Sequence, residues 1–143
     1  MALVADSGGI YGLYDRRDSA HRGLRAAVES EREEIVLPSV ILGELDYLLR
    51  IRLGARALIQ VLSDLEAGAF TIENMTPADF RRCAVLLEKY ANLDLGLCDA
   101  AVVAVAERLR TDRILTVGER DFRAIRSVRG KAFRLLPGDL RKK

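Results

Sequence analysis

The chain has 143 residues, 50% of them hydrophobic and 31% charged, which excludes an extended disordered polypeptide and suits one buried core. No apolar run reaches the ~18 residues of a membrane span, no basic stretch precedes the apolar residues of MALVADSGG, and two cysteines cannot build a disulfide framework. The formal net charge of +2 hides an asymmetry, since residues 1–107 hold 11 basic and 17 acidic side chains while residues 108–143 hold 12 basic and 4 acidic.

In chain order, residues 2–5 form a short apolar run ending in Asp6, the pattern of a buried parallel strand. Ser7, Gly8 and Gly9 make its exit turn, and a short helix follows over 10–14. Asp18 or Ser19 caps a helix running to about residue 30. Residues 34–37 read as a second strand, and Pro38 stands where helices begin. An apolar helix over 39–53 stops at Gly54, and a helix over 55–67 closes at Gly68. Residues 69–72 read as a third strand, and Thr76 with Pro77 opens a helix to about residue 90. An apolar helix over 96–108, a fourth strand over 113–116, a short helix over 120–125 and a last strand over 132–135 complete the chain. No linker or repeat divides it, so one domain over 1–143 is expected, in a reduced, cytoplasmic setting. The alternation of strand and helix predicts an α/β fold with a mostly parallel sheet. Ligands of such sheets gather at the carboxyl ends of the strands.

Three carboxylates interrupt apolar surroundings. Asp6 ends the first buried strand. Glu44 has Val40, Ile41, Leu45 and Leu48 as helical neighbours, which places it on the apolar side of its helix. Asp99 lies in a first helical turn with Val102, Val103 and Ala106 on the same stripe. Carboxylates near a core are costly unless satisfied, and converging ones raise one another's pKa. A hard divalent cation resolves both costs with oxygen ligands. A single His21 and the separated Cys83 and Cys98 do not suit zinc, and both cysteines read as small buried hydrophobes. Each acid also has a purely structural explanation. Asp6 caps a helix, Asp99 complements a helix dipole, or Glu44 pairs with an interior arginine. The arginine-rich final quarter similarly reads either as a surface for a polyanion or as a solvated face.

Four segments together resemble the PIN-domain family and its VapC-type toxins. They are the strand ending in Asp6-Ser7-Gly8, the phrase Leu42-Gly43-Glu44-Leu45-Asp46-Tyr47-Leu48-Leu49, the phrase Leu93-Asp94-Leu95-Gly96-Leu97-Cys98-Asp99-Ala100-Ala101, and Arg113-Ile114-Leu115-Thr116 leading to Arg120-Asp121-Phe122. The resemblance covers residues 3–137. It implies a three-layer α/β/α fold around a mostly parallel sheet of four to five strands. It also implies a metal-dependent endoribonuclease, the toxin of a toxin–antitoxin pair. Asp6, Glu44 and Asp99 become Mg²⁺ or Mn²⁺ ligands, with the Ser7 hydroxyl nearby and Asp94 as an outer group. The fourth acid of the family commonly follows the threonine by two residues, where this chain has Gly118. Asp121 is the available substitute as a fourth catalytic and metal-binding acid.

The implied chemistry is hydrolysis of RNA phosphodiester bonds by a metal-activated water. Arginines of the final quarter are expected to hold the strand, and Tyr11 and Tyr14 to be stacking groups or core residues. A cognate antitoxin and a second copy of the chain are the implied protein partners. Two other readings stand beside this one. The chain is either an impaired PIN-like module that only binds RNA or protein, or a phosphatase-like metal hydrolase of small phosphates.

Overall fold

In the computed structural model, residues 1–140 are described; positions 141–143 of the basic quarter lie outside them. The elements are β1 (Leu3–Ala5), α1 (Ser7–Tyr14), α2 (His21–Glu31), β2 (Ile35–Pro38), α3 (Ile41–Arg52), α4 (Ala55–Glu66), β3 (Thr71–Glu73), α5 (Pro77–Lys89), α6 (Leu97–Arg108), β4 (Arg113–Leu115), α7 (Glu119–Ala124) and β5 (Arg134–Leu136).

The five strands form one parallel sheet in the order β3-β2-β1-β4-β5. β1 and β2 are buried along their whole length, which is why their sequences are apolar without alternation. From β1 to β3 the chain steps outward in one direction, and from β3 it crosses back to β4 and β5 on the other side. Right-handed crossovers therefore put α1 to α4 on one face and α5 to α7 on the other, giving three layers. α6 packs across β1, β2 and β4, and its residues 100–106 are all buried. The order reverses between β1 and β4, so the crevice of this sheet opens at their carboxyl ends.

Several boundaries differ from the pattern-based expectation, each for a local reason. α1 begins at Ser7, because the Asp6 carboxylate itself caps it by accepting from the Gly9 N–H at 2.7 Å. Gly9 is needed there, since a β-carbon would lie 2.4 Å from the Leu115 carbonyl oxygen. Pro38 closes β2 opposite Glu73 instead of opening a helix. Asp18 accepts from the Ala20 N–H in a turn, and α2 starts at His21 without a side-chain cap. The last strand falls at Arg134–Leu136, in register with β4. Among the described residues, no helix is long and apolar enough to cross a membrane.

Candidate active site

The site grows out of the pairing of β1 with β4. The register matches Ala5 with Leu115, so the next residues, Asp6 and Thr116, leave the sheet side by side. The Thr116 hydroxyl donates to Asp6 Oδ2 while the Gly9 N–H holds Oδ1. Thr116 is fully buried and Asp6 nearly so. The orientation of the Asp6 carboxylate is thereby fixed by two donors on different elements. Burial pushes its pKa up to about 6, with Asp99 and Glu44 adding charge repulsion and the two hydrogen bonds working the other way.

Glu44 comes from the first turn of α3, which packs against α1. The Ser7 hydroxyl donates to Glu44 Oε1, tying the second acid to the residue after the first. Glu44 is exposed and does not point into the core, which corrects the expectation that it shares the apolar side of its helix. Ile41 and Leu45 take the buried side, and Glu44 stands at the rim. Asp99 sits in the first turn of α6, half-buried, and accepts from the Gly96 N–H at 3.2 Å. Its pKa is raised by burial, against the Gly96 bond, and further by the charges of Glu44, Asp121 and Asp94. Cys98 lies among the same groups, with its thiol 3.8 Å from the Val40 carbonyl oxygen. Its pKa is pushed up to about 11, first by burial and then by Glu44 and Asp99, so it stays a neutral thiol.

Glu44 and Asp99 thus act on Asp6, and Glu44, Asp121 and Asp94 act on Asp99. None of the ion pairs among the described residues involves any of them. Among the described residues no arginine pairs with Glu44. The edge is an all-oxygen, uncompensated donor set, which suits a hard divalent cation. Among the described residues no three His, Cys, Asp or Glu side chains are grouped as a finished metal cage. Asp6 and Glu44 spend oxygens on Thr116 and Ser7 instead.

Gly118 N-caps α7, and its N–H donates to the Thr116 hydroxyl at 2.9 Å. Asp121, one turn into α7, is near enough to raise the Asp99 pKa. In the sequence Thr116 reads as part of a strand motif, and its contact with Asp6 follows from cross-strand register, which one sequence does not display.

Much of the basic final quarter is structural, which corrects its reading as a strand-holding surface. Arg108 pairs with Asp79 and Glu73, Arg113 with Glu31 and Glu33, Arg123 with Glu119 and Asp139, and Arg134 with Glu31. Tyr11 and Tyr14 are packing residues whose hydroxyls donate to Asp15 and Asp64. Cys83 is buried, as expected.

Comparison with known proteins fits this arrangement. Residues 3–128 match the family described as PIN domain. Ribonuclease VapC26 of Mycobacterium tuberculosis is 31% identical over 135 residues, covering 94% of this chain and 100% of that protein. The crystal structure of Mycobacterium tuberculosis VapC20, described as a sarcin–ricin-loop-cleaving toxin, superposes with a TM-score of 0.73 at 18% identity, over 80% of this chain and 88% of that one. A toxin–antitoxin complex from Klebsiella pneumoniae superposes with a TM-score of 0.66 at 21% identity, over 86% of this chain and 92% of its own. At these identities the two structures establish a shared fold.

Proposed function

The chain belongs to the PIN-domain family, among its VapC-type members, and from that premise we propose that it is a Mg²⁺- or Mn²⁺-dependent endoribonuclease, the toxin of a toxin–antitoxin pair. What supports this reading is that Asp6, Glu44 and Asp99, from β1, α3 and α6, act on one another's charge and take part in none of the ion pairs among the described residues. Asp121 joins them from α7 in place of the acid absent at Gly118.

These four acids are the residues that would hold the cation. A divalent ion bound there supplies a water of lowered pKa and offsets charge on the scissile phosphodiester. The chain's own part is positional. Thr116 and the Gly9 N–H set the Asp6 carboxylate, and the Ser7 hydroxyl sets Glu44. The Gly96 N–H holds one oxygen of Asp99, and the other accepts no hydrogen bond among the described residues. The negative edge repels bare phosphate, so binding of RNA there depends on the cation.

RNA is the proposed substrate, as the name of the related ribonuclease indicates for that protein. An antitoxin and a second copy of the chain are the proposed protein partners. Tyr47 and Ile51 on α3, and Ile59 and Leu62 on α4, supply exposed apolar surface for such contacts.

The test is cleavage of structured RNA by purified protein with Mg²⁺, with and without EDTA, for the natural chain and for Asp6→Asn and Asp99→Asn. Cleavage should require the metal and fall at least ~100-fold in either variant. Cleavage at the natural rate in EDTA or in either variant would contradict the proposal.

A further inference from the structure

The sequence leaves a basic final quarter, and the structure divides it into two groups. Arg108, Arg113, Arg123 and Arg134 are consumed by ion pairs. The Arg126 guanidinium donates to the carbonyls of Arg123 and Ile125. Apart from Arg120 on α7, three exposed cations of this quarter, Arg110, Arg129 and Lys131, make no ion pair or side-chain hydrogen bond among the described residues. All three line one cleft of about 500 Å³ at the amino ends of β1, β4 and β5. That is the sheet edge opposite the acids. Asp99 and Arg108 stand at the two ends of α6, roughly 14 Å apart along its axis.

The cleft joins these cations to an apolar wall. Met1 and Val128 are 63% and 73% exposed there, and Phe133 closes the floor. Two carboxylates also line it. Glu107 is already matched by a bidentate pair with Arg82 and by the Val128 N–H. Asp112 is exposed and opposes one of the three cations. The unmatched charge is therefore positive. The volume lies within the range of small-molecule sites. Two of the three cations are arginines, whose planar fork fits phosphate oxygens in pairs.

We propose that this cleft binds a nucleotide unit, its phosphate on Arg110, Arg129 and Lys131 and its base against Met1 and Val128. The shared chemistry is a phosphate carried by a flat, largely apolar ring, supplied either by an RNA strand or by a free nucleotide. Cationic tracking of the backbone combined with contact to the base faces is how single strands are held without sequence preference, and here Met1 and Val128 offer an aliphatic contact for that face. The choice of a nucleotide over an acidic peptide rests on the ribonuclease reading above. In that setting the cleft is a second hold on RNA, remote from the bond that is cut.

The experiment measures fluorescence anisotropy of a labelled oligouridylate with the full chain in EDTA, where cleavage is off. The probe is titrated against the natural protein, against R110A/R129A/K131A, and against V128S. The triple variant should bind at least ~10-fold more weakly, and its salt slope should fall by about 0.7, as expected for one lost phosphate contact on a single strand. V128S should bind more weakly with the salt slope unchanged. Displacement of the probe by uridine monophosphate makes a free nucleotide a sufficient occupant, and failure to displace it assigns the cleft to a strand. Loss of binding in the triple variant supports the cleft in both cases. Binding within twofold of the natural chain in the triple variant, or displacement by polyglutamate but not by unlabelled RNA, would overturn it. A natural chain that binds through the cleft but never cuts RNA would sink the nuclease reading and leave the cleft standing. RNA cleavage with unchanged binding in the triple variant would do the reverse.

Discussion

Replacing Thr116 by valine keeps its shape and removes one hydroxyl. That hydroxyl donates to Asp6 Oδ2 and accepts from the Gly118 N–H, inside a fully buried position. Its loss frees the Asp6 carboxylate to rotate and raises its pKa further, because the Thr116 bond is a lowering influence. Thr116→Val should lower Mg²⁺-dependent RNA cleavage by ~10–100-fold, the usual cost of removing an outer partner of a metal ligand. Unchanged cleavage would mean that the Asp6 orientation does not matter. Gly118 allows a second single-residue test. Its φ of −92° suits any residue, and a β-carbon would meet only the Thr116 hydroxyl oxygen, at 3.7 Å. Asp therefore fits at position 118 without strain. If Asp121 serves as the fourth acid, Gly118→Asp should change the cleavage rate by less than ~3-fold, under 1 kcal/mol of barrier. A gain of tenfold or more in the same assay would show that the natural chain is an impaired enzyme.

Between elements, one polar tie joins α6 to α5 and β3. Arg108 donates from Nε to both oxygens of Asp79 at 3.1 Å and from Nη1 to Glu73 at 2.7 Å. Asp79 also completes the capping box of α5 with Thr76. Burial pushes the Asp79 pKa up, but the Arg108 and Thr76 bonds outweigh it and leave the carboxyl below its ordinary value. A depressed carboxylate contributes stability that is complete above its unfolded pKa and is lost as pH falls through the folded one. Arg108→Met removes the partner and leaves Asp79 charged and buried, which should cost about 3 kcal/mol at pH 7 in urea denaturation. The variant should also lose less stability than the natural chain between pH 5 and pH 3, about the region of carboxylate titration. Parallel pH profiles for the two proteins would show that the pair contributes nothing. This tie anchors the end of α6 remote from Asp99, so the cleavage site should keep its geometry in the folded variant.

Across the whole molecule, the sequence is most informative where one interaction dominates. Continuous apolar runs at β1 and β2 reflect burial on both faces, and burial is legible residue by residue. The strand–helix alternation likewise leads to the parallel sheet, and the sheet to the crevice at Asp6. Competition between local and distant partners is not legible. Pro38 is a helix opener by propensity and a strand end by its pairing with β3. Glu44 sits on an apolar helix, yet the packing of α3 on α1 turns it to the rim. The arginines look like a nucleic-acid surface until Arg113 and Arg134 meet Glu31, 82 and 103 residues away. The acids themselves were visible as misfits in apolar surroundings, whereas the grip of Thr116 on Asp6, across 110 residues, was not. The central claim is that acids from β1, α3 and α6 hold one kind of ion together. Titration of Mn²⁺ followed by electron paramagnetic resonance tests it on the natural chain and on Asp6→Asn, Glu44→Gln and Asp99→Asn. Saturable binding that weakens at least ~10-fold in each variant is the predicted result. Equal Mn²⁺ affinity in all four proteins, or no binding to the natural chain, would contradict it.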